Sequence, residues 1–260
     1  MNEARRQQYL AAMGITSWHA RTPKDAPFNQ PQPRASEQAA ATPTTAAPRA
    51  SAQQNRMLAK QETQADPIAA MDWPTLQQTV AGCRACGLCD GRNNTVFGVG
   101  NQHAKLMLVG EAPGREEDLK GEPFVGRAGQ LLDRMLAAVE LKREQIYIAN
   151  IVKCRPPGNR NPHADEAAAC RAYLLRQIEL VQPKLLVCLG GVSATNLLEI
   201  DESVGRLRQR THVFAATGTP LLVTYHPSYY LRSAAEKAKG WQDLQQMIRL
   251  LRELAGEQPS

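Results

Sequence analysis

Six cysteines are the first residues of this chain that could do chemistry. Cys83 and Cys86 form a C-x-x-C pair, with Cys89 three residues further on. Cys154 and Cys170 lie sixteen residues apart much later in the chain, and Cys188 sits inside an apolar run. Four of these thiolates could hold either a tetrahedral zinc or a 4Fe–4S cluster, and spacing alone does not choose between them. A C-x-x-C pair is also a redox motif, but no thioredoxin-like βαβ pattern surrounds this one. Cys188 has the setting of an ordinary core residue, and Cys89 that of a bystander.

Other chemically capable residues fall in a few short segments. These are GEAPG (110–114), GEPFVGRAG (121–129), Asn150 within YIANIVKCRPPGNRNP, GGVSA (190–194) and His226 within HPSYYLR. An asparagine inside an apolar run has few bland explanations. A histidine at the end of one is the histidine of this chain with the most unusual setting. Lys153, Arg155, Arg160 and Arg232 stand beside these segments as candidate phosphate contacts. By contrast His19, His103, His163 and His212 have no comparable setting and are expected at the surface.

The elements that must position these groups are legible as apolar runs. LMLVG (Leu106–Gly110), QIYIANIV (Gln145–Val152), KLLVCLGG (Lys184–Gly191) and PLLVTYHP (Pro220–Pro227) are strand candidates. Helical stripes fill the gaps: Leu131, Leu132, Met135, Leu136 and Val139, then Cys170, Tyr173, Leu174, Ile178 and Val181, then Leu244, Met247, Ile248 and Leu251. Uninterrupted apolar strands alternating with amphipathic helices predict a parallel sheet covered on both faces. The expected fold is a three-layer α/β/α sandwich with a central four-stranded parallel sheet. Ligands of such sheets bind beyond the carboxyl ends of the strands. Most of the unusual segments follow a strand, so they converge on one edge.

Composition bounds the rest. The chain has 260 residues, 43% of them hydrophobic, and a net charge of +6. Its mean hydropathy of −0.42 and pI of about 9.1 point to concentrated polar sequence and an anionic partner. The polar residues gather in 21–70, an Ala/Pro/Gln/Thr-rich stretch that cannot bury enough surface to order itself and is expected to be a disordered linker. Residues 1–20 precede it as a short amphipathic helix with Tyr9, Leu10 and Met13 on one face, suited either to recruiting a protein partner or to folding back on the domain that follows the linker. Residues 71–256 form that domain. No apolar run is long enough to span a membrane, and no signal peptide is evident. The expected location is the cytoplasm, where thiols stay reduced and spaced cysteines favour metal.

Taken in order, GEAPG, GEPFVGRAG, the Asn150 segment and HPSYYLR, with C-x-x-C and the sixteen-residue cysteine spacing, resemble the family 4 uracil-DNA glycosylases over roughly residues 76–250. The resemblance implies a DNA-repair enzyme that hydrolyses the N-glycosidic bond of uracil in DNA and leaves an abasic site. It implies a 4Fe–4S cluster held by Cys83, Cys86, Cys154 and Cys170, and action on uracil-containing DNA; the chain is expected to act as a monomer. Gly110, Ala112, Phe124, Asn150 and His226 would then surround the extruded base. Phe124 would stack on it, Asn150 would read its edge and His226 would stabilise the leaving group. Ala112 occupies the position where the best-known relatives carry a water-activating aspartate. Glu111 is the nearest carboxylate for that task, with Glu117 and Asp118 in reserve. Tyr230 or Leu231 would wedge into the vacated base position.

The rival from another class is a non-catalytic DNA-binding relative associated with replication. Retention of Asn150 and His226 argues against it. A zinc base deaminase would need H-x-E with P-C-x-x-C, and neither occurs. A relative that attaches covalently to DNA would need an inserted basic loop with a histidine after GRAG, and none is present.

Overall fold

The computed structural model describes residues 67–256 together with Gln7 and Ala11, both helical. The expected helix of residues 1–20 and the expected linker otherwise lie outside the described residues. Within residues 67–256 the first element is a 3-10 turn at Pro67–Ala70, slightly before residue 71, and Ile68 packs on the core.

Six strands form one sheet: β1 (Val99–Gly100), β2 (Leu106–Gly110), β3 (Tyr147–Asn150), β4 (Leu185–Leu189), β5 (His212–Phe214) and β6 (Thr219–Thr224). Their order is β1-β3-β2-β4-β6-β5. The central four, β3-β2-β4-β6, are parallel and coincide with the four apolar runs. The four expected parallel strands are all present, and two short edge strands, β1 and β5, extend the sheet by antiparallel pairing. Two or three residues are too short for a periodic signal, and Val213 of β5 is largely exposed.

Eight helices complete the described layers: α1 (Trp73–Ala81), α2 (Arg115–Lys120), α3 (Arg127–Ala138), α4 (Ala164–Val181), α5 (Gly191–Leu198), α6 (Val204–Leu207), α7 (Pro227–Arg232) and α8 (Lys237–Ala255). Alternate strand residues face opposite sides. Met107, Val109, Leu186, Cys188 and Val223 pack with α1, α4 and α5, whereas Leu106, Leu108, Ile148, Val187 and Leu222 pack with α3, α7 and α8. Burying each such side chain contributes about 1.5–3 kcal/mol relative to exposure.

The connection from β2 to β3 runs through α3 on one face, and that from β3 to β4 through α4 on the other. This reversal opens a crevice at the carboxyl ends of the central strands. Among the described residues no helix is long and apolar enough to cross a membrane.

Candidate active site

The carboxyl ends of three strands bring the key groups together. Gly110 ends β2 and is the register partner of Asn150, which ends β3. A methyl group at Gly110 would lie 2.4 Å from Asn150 Oδ1 and 2.7 Å from Phe124 Cζ, so only glycine lets these two side chains approach. His226 follows β6, and its Cβ stands 3.2 Å from where a side chain at Gly190, beyond β4, would start. The Phe124 and His226 rings have centroids 5.4 Å apart, tilted by 32°. Gly110, Phe124, Asn150 and His226 thus form one cluster. Ala112 leans against the core on the α4 side.

Asn150 is 1% exposed, and its Oδ1 has no hydrogen-bond partner among the described residues. Leaving a buried acceptor unmatched costs about 1–3 kcal/mol. Such an atom at a strand end, beside an aromatic ring, is suited to a ligand that brings its own donor.

His226 has its proton arranged by a neighbour. Ser228 N–H donates to Nδ1 at 3.2 Å, and Ser228 Oγ lies 2.8 Å from the same nitrogen. With Nδ1 accepting, the neutral ring carries its proton on Nε2. Burial pushes the imidazole down to about 4, and the charge of Arg232 acts in the same direction against that of Glu117. Ser228 was not singled out in the sequence, although its place two residues after the histidine at a helix start is a capping signal.

Phe124 is held in a left-handed backbone conformation, φ 56°, which is sparsely populated for a bulky residue and typical of functional positions. A Cβ at Gly129 would lie 1.7 Å from the Phe124 carbonyl oxygen, so glycine is required there. Arg143 clamps the loop, donating to the carbonyl oxygens of Phe124 at 3.0 Å and Pro123 at 2.6 Å.

The carboxylates separate clearly. Glu111 is half-buried, and desolvation raises its pKa. Glu117 is occupied: it accepts from Gly114 N at 3.1 Å and from Val125 N and Gly126 N at 2.9 Å, stitching the GEAPG loop to the Phe124 loop. Asp118 is 0% exposed and binds the backbone of Asn93 and Asn94 and the Asn93 side chain. Neither reserve carboxylate is therefore free for water.

Two further expectations are corrected. Lys153 is 1% exposed, with Nζ bonded to Asn150 O and Gln177 Oε1, so it presents no charge to a phosphate. Tyr230 is 1% exposed, and its hydroxyl lies 3.1 Å from Thr224 Oγ1, so it belongs to the core. Leu231, its neighbour on α7, is 37% exposed. Arg232 is exposed, Arg155 bonds Asn159 Oδ1 at 2.7 Å, and Arg160 forms a two-pronged pair with Glu166 at 2.6 and 2.8 Å.

Cys83, Cys86, Cys89, Cys154 and Cys170 line one recess between the end of α1, the exit of β3 and α4. Cys89 turns its thiol toward Asp90. Polar hydrogens surround three of the other sulfurs: Arg92 Nη1 is 3.1 Å from Cys154, Lys153 N 3.4 Å from Cys170, and Ala85 N and Tyr173 Oη are 3.5 and 3.4 Å from Cys83. Among the described residues no three metal-ligating side chains converge on a single-ion site. N–H groups aimed at sulfurs in this way are the kind of donor that tunes the thiolates of a metal centre. Cys188 lies apart in β4, and burial pushes its thiol up to about 12.

Fold and site thus define a doubly wound α/β protein with an amide, an imidazole and an aromatic ring gathered at its strand ends. A family model described as the uracil DNA glycosylase superfamily matches residues 97–245. The chain is 44% identical over 158 residues to the type-4 uracil-DNA glycosylase of Archaeoglobus fulgidus, covering 58% of this chain and 79% of that one. It is 39% identical over 180 residues to the type-4 uracil-DNA glycosylase of Pyrobaculum aerophilum, covering 67% and 92%. A type-5 uracil-DNA glycosylase of the same organism is 31% identical over 144 residues, covering 50% and 63%. The chain belongs to the uracil-DNA glycosylase superfamily, in its type-4 branch.

Proposed function

We propose that this protein removes uracil from DNA by hydrolysing its N-glycosidic bond, leaving an abasic site for base excision repair. The observation that carries this reading is the buried, unpartnered Asn150 Oδ1 beside Phe124 and His226. Uracil offers an N3–H donor flanked by O2 and O4 acceptors. Asn150 accepts from N3–H and donates from Nδ2 to O4. Cytosine presents an amino group and a bare N3 there, so the same amide meets it donor to donor. Phe124 supplies the face on which the extruded base stacks.

Breaking the C1′–N1 bond leaves the electron pair on uracil, with charge collecting at O2. His226 donates from Nε2 to that oxygen, and as a neutral donor it stabilises the anion without protonating it. Water adds its oxygen to C1′ and gives up a proton. Glu111 is the carboxylate assigned to orient that water and take the proton. Leu231 fills the space left by the base, and Arg155 and Arg232 contact phosphates. Arg160 joins them only as far as its pair with Glu166 allows.

Cys83, Cys86, Cys154 and Cys170 would hold a 4Fe–4S cluster, which when bound cross-links the end of α1 to β3 and α4. The N–H···S donors around these thiols support the assignment.

The test is excision from a uracil-containing oligonucleotide, read as alkali-sensitive strand scission. Scission at uracil and not at cytosine or thymine is expected, from protein containing about four irons per chain. Binding without scission would favour the non-catalytic alternative, and stoichiometric zinc with no iron would overturn the cluster.

A further inference from the structure

A lysine ammonium is almost never fully buried unless hydrogen bonds hold it. Lys153 is such a case, and the activity proposed above does not use it. Its Nζ donates to the main-chain oxygen of Asn150 at 3.0 Å and to Gln177 Oε1 at 2.6 Å. Gln177, on α4, is 0% exposed and is itself fixed. Its Nε2 donates to the Phe97 carbonyl oxygen at 2.9 Å and meets the Tyr147 hydroxyl at 3.1 Å. The Lys153 backbone is held on both sides, N–H by Cys170 Sγ at 3.4 Å and carbonyl oxygen by Val96 N–H at 2.8 Å.

This network joins four segments at Asn150, whose buried Oδ1 has no hydrogen-bond partner among the described residues. Asn150 is the last residue of β3, where the ladder to β2 ends. Its side chain makes no bond through Oδ1 that could set its rotation. The orientation of the amide therefore follows from its backbone, and the Lys153 ammonium grips that backbone from the side of the cysteines. An apolar side chain would fill the same space without desolvating a charge, so packing alone does not explain a lysine here.

We propose that Lys153 is a positioning residue for uracil recognition. Anchored by Gln177, it fixes the Asn150 carbonyl so that the Asn150 amide meets the base edge, and it touches neither DNA nor base. The proposal rests on Asn150 as the reader of uracil.

The test compares Lys153→Met, Asn150→Ala and the double variant in the full-length, iron-loaded protein. Single-turnover excision, inhibition by free uracil and affinity for an abasic-site duplex are measured. Lys153→Met should keep its iron, excise about tenfold more slowly and bind free uracil correspondingly more weakly, with duplex affinity within about twofold; effects of groups acting as one unit are not additive. In the Asn150→Ala background it should therefore cost less than about twofold more. Wild-type uracil inhibition in Lys153→Met, or full additivity in the double variant, would overturn the proposal and reduce Lys153 to a stability residue. Should Lys153→Met lose its iron, Gln177→Leu decides: it removes the anchor while leaving lysine and cysteines, and an unchanged response to free uracil overturns the idea. If Asn150→Ala itself excises uracil at the wild-type rate, the reading of Asn150 has failed, a result distinct from the other two.

Discussion

Asn150 and His226 divide the work at the residue scale, one selecting the base and the other lowering the barrier. Their protonation demands differ accordingly. An amide has none, whereas His226 must be neutral with its proton on Nε2, and Ser228 and burial arrange both conditions. Because burial holds the ring at about 4 in place of 6.5, the neutral form persists throughout pH 5–8. The single-turnover rate should show no loss centred near pH 6.5, and His226→Ala should lower it roughly a hundredfold with DNA affinity little changed. A step near pH 6.5 that vanishes in the His226 variant would contradict this assignment. The sign for stability is the opposite of that for a paired histidine. The folded pKa is depressed, so the unfolded chain takes up a proton first. The contribution of His226 to stability is therefore lost as pH falls from 6.5 toward 4.

At the scale of the element, α7 carries two adjacent residues with opposite fates. Tyr230 points inward to Thr224, which donates to Asp243 at 2.7 Å, and Asp243 pairs with Arg208 at 2.7 Å. That buried chain of bonds ties α7, β6 and α8 together just behind His226. Leu231 points outward on the same short helix. Tyr230→Phe should lower stability by about 1 kcal/mol, the usual worth of one hydrogen bond, seen in thermal melts with excision nearly intact. Leu231→Ala should do the reverse, slowing excision from duplex about tenfold while sparing single-stranded DNA, where no base pair must be replaced. Equal loss on both substrates would remove Leu231 as the wedge.

Across the whole molecule, every proposed catalytic, DNA-contacting and cysteine ligand group lies within residues 67–256. Deleting residues 1–66 is therefore expected to leave the rate on short oligonucleotides within about threefold, since no group of the machinery is removed. Thermal melting of the truncated protein separates two roles for the N-terminal segment. A large drop indicates that it covers an apolar patch of the catalytic domain, and no change indicates recruitment of a partner. A truncated chain that folds with full iron and yet leaves uracil in place would show the catalytic unit to be larger than these residues.

Much of this was legible in the sequence because it is encoded locally. A parallel strand buried on both faces must be apolar along its length, so LMLVG, YIAN, LLVCL and PLLVT announce themselves, and the rule of strand ends gathers Gly110, Asn150 and His226 at one edge. The cysteine spacing likewise marked out a set of sulfurs that the fold brings to one recess. Other features depend on partners far away in the chain. Lys153 stands next to Cys154 and Arg155 and has the local appearance of surface charge, but Gln177 on α4 makes its burial tolerable. Asp118 looks available until the Asn93–Asn94 segment takes its oxygens. Tyr230 and Leu231 occupy a helix of six residues, too short for periodicity to phase. Sequence pattern determines which segments are apolar enough to be buried. Whether a polar group can be buried with them is decided only in the tertiary structure, because its hydrogen-bond partners come from elsewhere in the chain.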